Sequence, residues 1–145
     1  MVTTHPLPAQ IPVRHAFHAT LRAFPIACFS LTLLTDIAYM QTSELMWLHF
    51  SEWLLFAGCV IGALALLAHG IDWLIRRYRP SWLAVLGGIV VLLLATINSF
   101  VHTNDGWTAV VPWGLTLSAL TIVAMIITAW LGRAGVRRDW SRHHV

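Results

Sequence analysis

The sequence predicts an all-α integral membrane protein, an up-down-up-down bundle of four transmembrane helices with both termini in the cytoplasm. Composition is the first reason. Hydrophobic residues make up 58% of the 145-residue chain and charged residues only 10%, with a mean hydropathy of +0.73. A soluble domain carries about a quarter charged residues. The balance excludes a soluble globular domain and a disordered tail, and no internal repeat points to a solenoid. The second reason is four apolar runs, each near or above the ~20 residues that cross a ~30 Å hydrocarbon core. The third is the basic residues. All nine are Arg, and they cluster at the ends of apolar runs, which marks topology anchors rather than a nucleic-acid groove.

Residues 1–22 read as a cytoplasmic N-terminal segment. Pro6, Pro8 and Pro12 interrupt it and it lacks an early apolar core, so it is not a secretory signal. The transmembrane domain follows over 23–131. Its first span, 23–40, is slightly short and carries Asp36. The second is 53–75, the third 82–101 and the fourth 109–131. Pro112-Trp113-Gly114 reads as the start of the fourth helix, where a proline loses no hydrogen bond. Residues 132–145 form a basic cytoplasmic tail suited to anionic lipid headgroups. The breaks at 41–52, 76–81 and 102–108 are short, which makes adjacent helices antiparallel. The long Leu/Ile/Val runs show no strand-like alternation, so a closed barrel is excluded.

Orientation follows from the Arg positions. Arg14 and Arg22 precede the first span, Arg76, Arg77 and Arg79 lie in the second connection, and Arg133, Arg137, Arg138 and Arg142 lie in the tail. The first and third connections carry none, so the positive-inside rule places both termini in the cytoplasm. Trp47, Trp53, Trp107 and Trp113 then fall at the outer headgroup level, and Trp73, Trp82, Trp130 and Trp140 at the inner one, where indole is favoured.

Each span carries small or polar residues at alternating steps of three and four. The second offers Gly58, Gly62, Ala65, His69 and Asp72. The third offers Ala84, Gly88, Val91, Ala95, Asn98 and His102. The fourth offers Gly114, Ser118, Thr121, Met125, Thr128 and Gly132, and the first Pro25, Phe29, Thr32, Asp36 and Tyr39. Bilayer helices associate through close backbone approach and interhelical hydrogen bonds. These stripes therefore face inward, with Gly58, Gly62, Gly88 and Gly114 as packing positions and a Leu/Ile surface left for lipid. Cys28 and Cys59 read as free thiols on opposite halves of the bilayer, on the order of 13 Å apart in depth at ~1.5 Å per residue, beyond disulfide reach.

Polar groups at membrane depth are candidates for function. An outer cluster combines Asp36, His49, Glu52, Asn98 and His102. An inner one combines His18, Arg22, His69, Asp72 and Thr128. Asp36 is either an interfacial carboxylate reaching water or Asn98, or a proton or ion site. His69 and Asp72, three residues apart on one face, allow the carboxylate to orient the imidazole, as in a structural pair or behind a metal or haem ligand. His49 and His102 lie at similar depth on different helices, as bis-His haem ligation requires, or are simply interfacial. There is no zinc spacing, nucleophile–base pair, phosphate loop or HExxH helix.

The stretch His18-Ala19-Thr20-Leu21-Arg22-Ala23-Phe24-Pro25-Ile26 resembles the His-Pro-x-Leu-x-x-Phe-Pro-Ile start of a bacterial family of small four-helix predicted membrane proteins, a domain of unknown function. Ala19 stands where the family has proline. Asp36, Gly70-Ile71-Asp72-Trp73, Pro112-Trp113-Gly114 and Trp130-Leu131-Gly132-Arg133 resemble further family signals. Trp82-Leu83-Ala84 replaces an early third-helix His, and Ala134-Gly135-Val136-Arg137 a final His-Gly-Val-Gly-like segment. The resemblance implies a four-helix fold in the bacterial inner membrane and an association with periplasmic dehydrogenase or cytochrome systems.

Three functions are compatible with these residues. One is a non-catalytic anchor or accessory subunit of a membrane complex, with the bilayer and a membrane or periplasmic protein as partners, no nucleic acid, and no cofactor. The second is an electron carrier holding haem b or a quinone, with His18, His69, His49 and His102 as candidate ligands. The third is a small transporter or proton-coupled channel. The middle of the stripes, Thr32, Ala65, Val91 and Thr121, offers little polar path.

Overall fold

A computed structural model describes residues 13–76, 82–104 and 109–142, with side chains over 19–75, 82–104 and 110–133. It contains helices α1 (Val13–Thr42), α2 (Leu45–Arg76), α3 (Trp82–His102) and α4 (Leu115–Arg142), and no strand among the described residues. Ala19–Thr42, Leu45–Ile75, Trp82–His102 and Val110–Arg133 are each long and apolar enough to cross a membrane. A wide-turn segment, Ala109–Gly114, leads into α4. It is broken at Val111, whose φ of −119° and ψ of 117° are extended. Pro112 thus follows a break in the helical ladder, a place where a residue without an N–H is tolerated.

The expected connection at 41–52 is helical except at Ser43 and Glu44. Hydropathy marks where lipid contact ends, whereas a helix continues for as long as its backbone bonds and one packed face sustain it. The turn closes through the Ser43 N–H, which donates to the Tyr39 carbonyl (2.8 Å), and the Glu44 N–H, which donates to Thr42 Oγ1 (3.3 Å). Ser43 has a φ of 56°, the left-handed conformation that glycine adopts at a helix C-terminus without a side-chain penalty. Ser43→Gly should therefore stabilise the protein by about 0.5–1 kcal/mol. A thermal melt in detergent should show a small rise in Tm.

A two-residue turn sets α1 and α2 side by side in constant antiparallel register. Pro25 lies by Gly62, Phe29 by Gly58 and Asp36 by Ser51. The register corrects the expected depth of the cysteines. Cys28 lies beside Gly58, and hence level with Cys59. The expected offset rested on a twelve-residue connection that the helices absorb. Both thiols are nevertheless free, with Cys59 turned towards Thr96 of α3 at 3.9 Å. The α3–α4 pair repeats the pattern, with His102 by Gly114, Asn98 by Ser118 and Ala84 by Gly132.

Small residues set how closely these seams approach. A Cβ on Gly58 would lie 2.5 Å from Phe29 Cε1, and a Cβ on Gly87 would overlap the Thr128 side chain. A Cβ on Gly62 or on Gly88 would meet the end of Leu92 or of Leu66 at 3.1 or 3.2 Å. A Cβ on Gly70 would meet nothing within 4 Å. Gly58→Ala should therefore lose about 1–3 kcal/mol through overpacking against the aromatic ring. Gly70→Ala should gain up to ~1 kcal/mol from helix propensity. Parallel melts of the two variants check this, and equal Tm values would place the close seam elsewhere.

Among the described residues, buried positions concentrate towards one end. They run from Pro25 to Tyr39 on α1, Ser51 to Gly58 on α2, Val91 to His102 on α3 and Val110 to Thr121 over the Ala109–Gly114 segment and the start of α4. This is the end that carries the α1–α2 turn and the α3–α4 connection, called here the loop end. Towards the opposite end, Gly62, Ala65, His69, Gly88, Met125 and Thr128 are only half-buried. The exposed indoles of Trp53 and Trp113 lie near the loop end, and those of Trp73, Trp82 and Trp130 near the other.

Candidate functional site

The loop end is closed by polar side chains, and all four helices contribute. α1 supplies Asp36 and Thr35, α2 supplies Ser51, α3 supplies Asn98 and His102, and α4 supplies Ser118. Asp36, Ser51 and Asn98 are fully buried, and His102 and Ser118 are 2% exposed. The Asp36 carboxylate is the hub. Its Oδ1 accepts from Ser51 Oγ (2.6 Å) and lies 2.9 Å from His102 Nε2. Its Oδ2 accepts from Ser118 Oγ (2.5 Å), which in turn accepts from Asn98 Nδ2 (2.8 Å). Thr35 Oγ1 lies 2.7 Å from Ser51 Oγ. An isolated carboxylate at this depth would be costly, and these charge-assisted bonds are what make its burial possible.

The geometry also locates protons. His102 Nδ1 faces the Asn98 carbonyl at 3.0 Å. A carbonyl only accepts, so Nδ1 carries a hydrogen. Nε2 faces a carboxylate oxygen, and two lone pairs would repel there, so one proton lies between Nε2 and Oδ1. Whichever atom holds it, the pair is neutral overall, which avoids the larger penalty of one uncompensated buried charge. Gly114 makes room for the ring. A Cβ there would stand 2.8 Å from His102 Cε1 and 3.2 Å from Nδ1. One buried polar atom, Asn98 Oδ1, has no hydrogen-bond partner.

Residues 14–141 match the family model described as "Predicted membrane protein (DUF2231)". The chain belongs to this family. No curated protein and no solved structure matches it. DUF2231 membership agrees with the family resemblance of the His18–Ile26 stretch and with the four-helix architecture.

Of the outer cluster expected in this DUF2231 protein, the structure joins Asp36, Asn98 and His102. His49 is exposed on α2, beside Met46, Phe50 and Trp53, and Glu52 is half-buried outside the hydrogen-bonded set. His49 and His102 do not face one cavity. The reason is helical phase. With α2 helical from Leu45, Ser51 points inward, and His49, two residues earlier, points away. Ser51 and Thr35 were missed. Ser118 was assigned to the α4 stripe but not to the cluster. A signal for Ser51 was present, because the Gly58, Gly62 stripe continues backwards in steps of three and four through buried Leu55 to Ser51.

At the other end, His69 and Asp72 are half-buried on α2, and each of them, like Arg22, is engaged with a neighbour. Thr128 donates to the Ala124 carbonyl and sits beside Gly87. The His18 side chain, and the Arg residues at 14, 76, 77, 79, 137, 138 and 142, lie outside the described side chains. No group of three or more His, Cys, Asp or Glu suited to a metal ion occurs among the described residues.

Proposed function

We propose that this DUF2231 protein is a non-catalytic multi-pass subunit of the bacterial inner membrane, with both termini cytoplasmic, that anchors or assists a membrane-associated complex. One observation supports this most. The polar side chains that converge inside the loop end are bonded to one another or to backbone at every buried polar atom except Asn98 Oδ1, and both His102 nitrogens are engaged. The described part of that interior therefore offers no free imidazole to a haem. Large apolar side chains meanwhile project outwards near the same end, including Phe50, Trp53, Phe100 and Trp113. Such a surface suits lipid together with an apolar partner helix.

Photo-crosslinking from Phe50 and Trp113 positions in native membranes tests the reading. A discrete protein adduct from one of these faces is expected. Lipid adducts alone, together with a Soret band in the purified protein, would instead favour the haem reading, for which His18 and His69 are the remaining candidates. Orientation is tested by labelling single cysteines from outside. Thr42 and Asn104 positions should react and a Tyr78 position should not. The transporter reading has one observation in its favour, the buried contact of 2.9 Å between Asp36 Oδ1 and His102 Nε2. Ala65 and Val91 leave the path below it apolar.

A further inference from the structure

The seam between α1 and α4 is closed at the loop end and open towards the other. Ser118 donates to Asp36 across it, and Thr32 and Thr121, one turn further along, are both buried. Beyond them the same faces lose their cover. Ala129 follows Ser118 by eleven residues, about three turns, so it returns to the face that Ser118 presents to α1. Ser118 is 2% exposed, whereas Ala129 is exposed, and Met125, Thr128 and, on α1, Leu21 are only half-buried. The other helix pairs stay together at this depth. Pro25 lies by Gly62, Leu66 by Gly88 and Ala84 by Gly132. The opening therefore belongs to the α1–α4 seam.

Two arginines stand where the open seam ends. Arg22 is fourteen residues from Asp36 on α1, and Arg133 is fifteen from Ser118 on α4. Each interval is close to four turns, so both residues return to the faces that meet at the Asp36–Ser118 bond, about 21 and 23 Å away from it. That bond holds the two helices level, and the arginines therefore share one depth. Both are exposed. Arg22 is engaged with a neighbour, and a guanidinium carries five N–H donors, so it can bind a further acceptor. The exposed indole of Trp130 lies about one turn from Arg133, on the loop-end side. Indole marks the boundary between hydrocarbon and headgroups, which places the two arginines at the level of lipid phosphates.

We propose that the α1–α4 seam binds one anionic phospholipid, with its phosphate paired to Arg22 and Arg133 and an acyl chain lying along Leu21, Met125, Thr128 and Ala129. The guanidinium fork matches phosphate oxygens. The seam beyond it suits a hydrocarbon chain, because the Thr128 hydroxyl is already spent on the Ala124 carbonyl and the other three side chains are apolar. Two cationic groups face a phosphodiester that carries one negative charge. They favour a headgroup with no cation of its own, such as glycerol, over one that brings an ammonium. The site is independent of whether the protein anchors a partner.

The test is native mass spectrometry of the purified full-length protein in detergent, titrated with dioleoyl phosphatidylglycerol and, in parallel, with dioleoyl phosphatidylethanolamine. One phosphatidylglycerol per chain is expected, held at least ~10-fold more tightly than the zwitterionic lipid. Arg22→Gln and Arg133→Gln should each weaken it by about tenfold, the scale of one hydrogen bond to a charged group. Ala129→Trp, which fills the seam and leaves both charges in place, should weaken binding as well, and Arg142→Gln in the tail should not. Helical ellipticity shows that each variant is folded. Equal affinity of wild type for the two lipids would overturn the proposal. So would unchanged binding in both single arginine variants, or a loss in Arg142→Gln as large as theirs. Displacement of the lipid by excess inorganic phosphate would reveal a phosphate site without an acyl chain, and would overturn it too.

Discussion

Asp36→Ala should lower stability by about 3–5 kcal/mol, the largest loss expected from a single substitution in this chain. Three donors from three other helices converge on this carboxylate. Its removal leaves Ser51, Ser118 and His102 Nε2 without their acceptor in a place that water does not reach. The imidazole then has either an unpaired charge or an unpaired nitrogen. Asp36→Asn keeps the volume and one acceptor but directs an amide N–H at groups that already donate, so a loss of about 2 kcal/mol is expected. The double variant Asp36→Leu/His102→Leu should be more stable than the sum of the single losses implies, because removing both partners strands fewer groups than removing one. Chemical unfolding in detergent, followed by helical ellipticity, measures wild type, these variants and the single Asp36→Leu and His102→Leu variants that complete the cycle. Wild-type stability in Asp36→Ala would show that the four helices are held together elsewhere.

Gly114→Ala should lose about 3 kcal/mol, at the upper end of what overpacking costs. The new methyl would stand 2.8 Å from Cε1 of a ring held at both nitrogens. The ring cannot swing aside without leaving either the Asn98 carbonyl or Asp36. Alternatively α4 must move away from α3, which would also draw Ser118 from Asp36. The effect therefore spreads through the junction and should be larger than that of Gly58→Ala. A substitution that shrinks the ring, His102→Ser, should be less harmful in the Gly114→Ala background than in wild type. The proton between Nε2 and Oδ1 provides a local probe, since its NMR resonance should be lost or shifted in Gly114→Ala. An unchanged resonance and an unchanged Tm would show that the α3–α4 seam has more room than these distances imply.

Asp36, Asn98 and His102 are legible as candidates because an ionisable or amide group inside an apolar run is costly unless it has a partner. Ser51, which donates to Asp36, is legible only through the backward continuation of the Gly58, Gly62 stripe, because hydropathy assigns residues 41–52 to a connection. A serine carries too little polarity to stand out in such a segment. His49 and Glu52 stand out more, yet neither joins the junction, since the choice among neighbours depends on helical phase and phase depends on where the helix begins. The depth of Cys59 was misread for the same reason. A connection shortened to two residues moves α2 along α1 and changes which residues lie level. Register within a helix pair is legible in retrospect, because a short antiparallel turn keeps small residues opposite large ones, Gly58 to Phe29 and Gly114 to His102.

By itself the sequence determined the environment, the number of helices and their antiparallel order. These follow from apolar length, from short polar breaks and from the cost of bare backbone in hydrocarbon, all of which are local properties of the chain. The family stretch from His18 to Ile26 belongs with them. Only the tertiary structure decided that burial concentrates at the loop end, and that Asp36 is shared by Ser51, His102 and Ser118. Those contacts join residues from 15 to 82 positions apart. They depend on the rotation and register of each helix to within one residue, and in a bilayer that precision comes from backbone approach and hydrogen bonding rather than from the pattern of apolar residues.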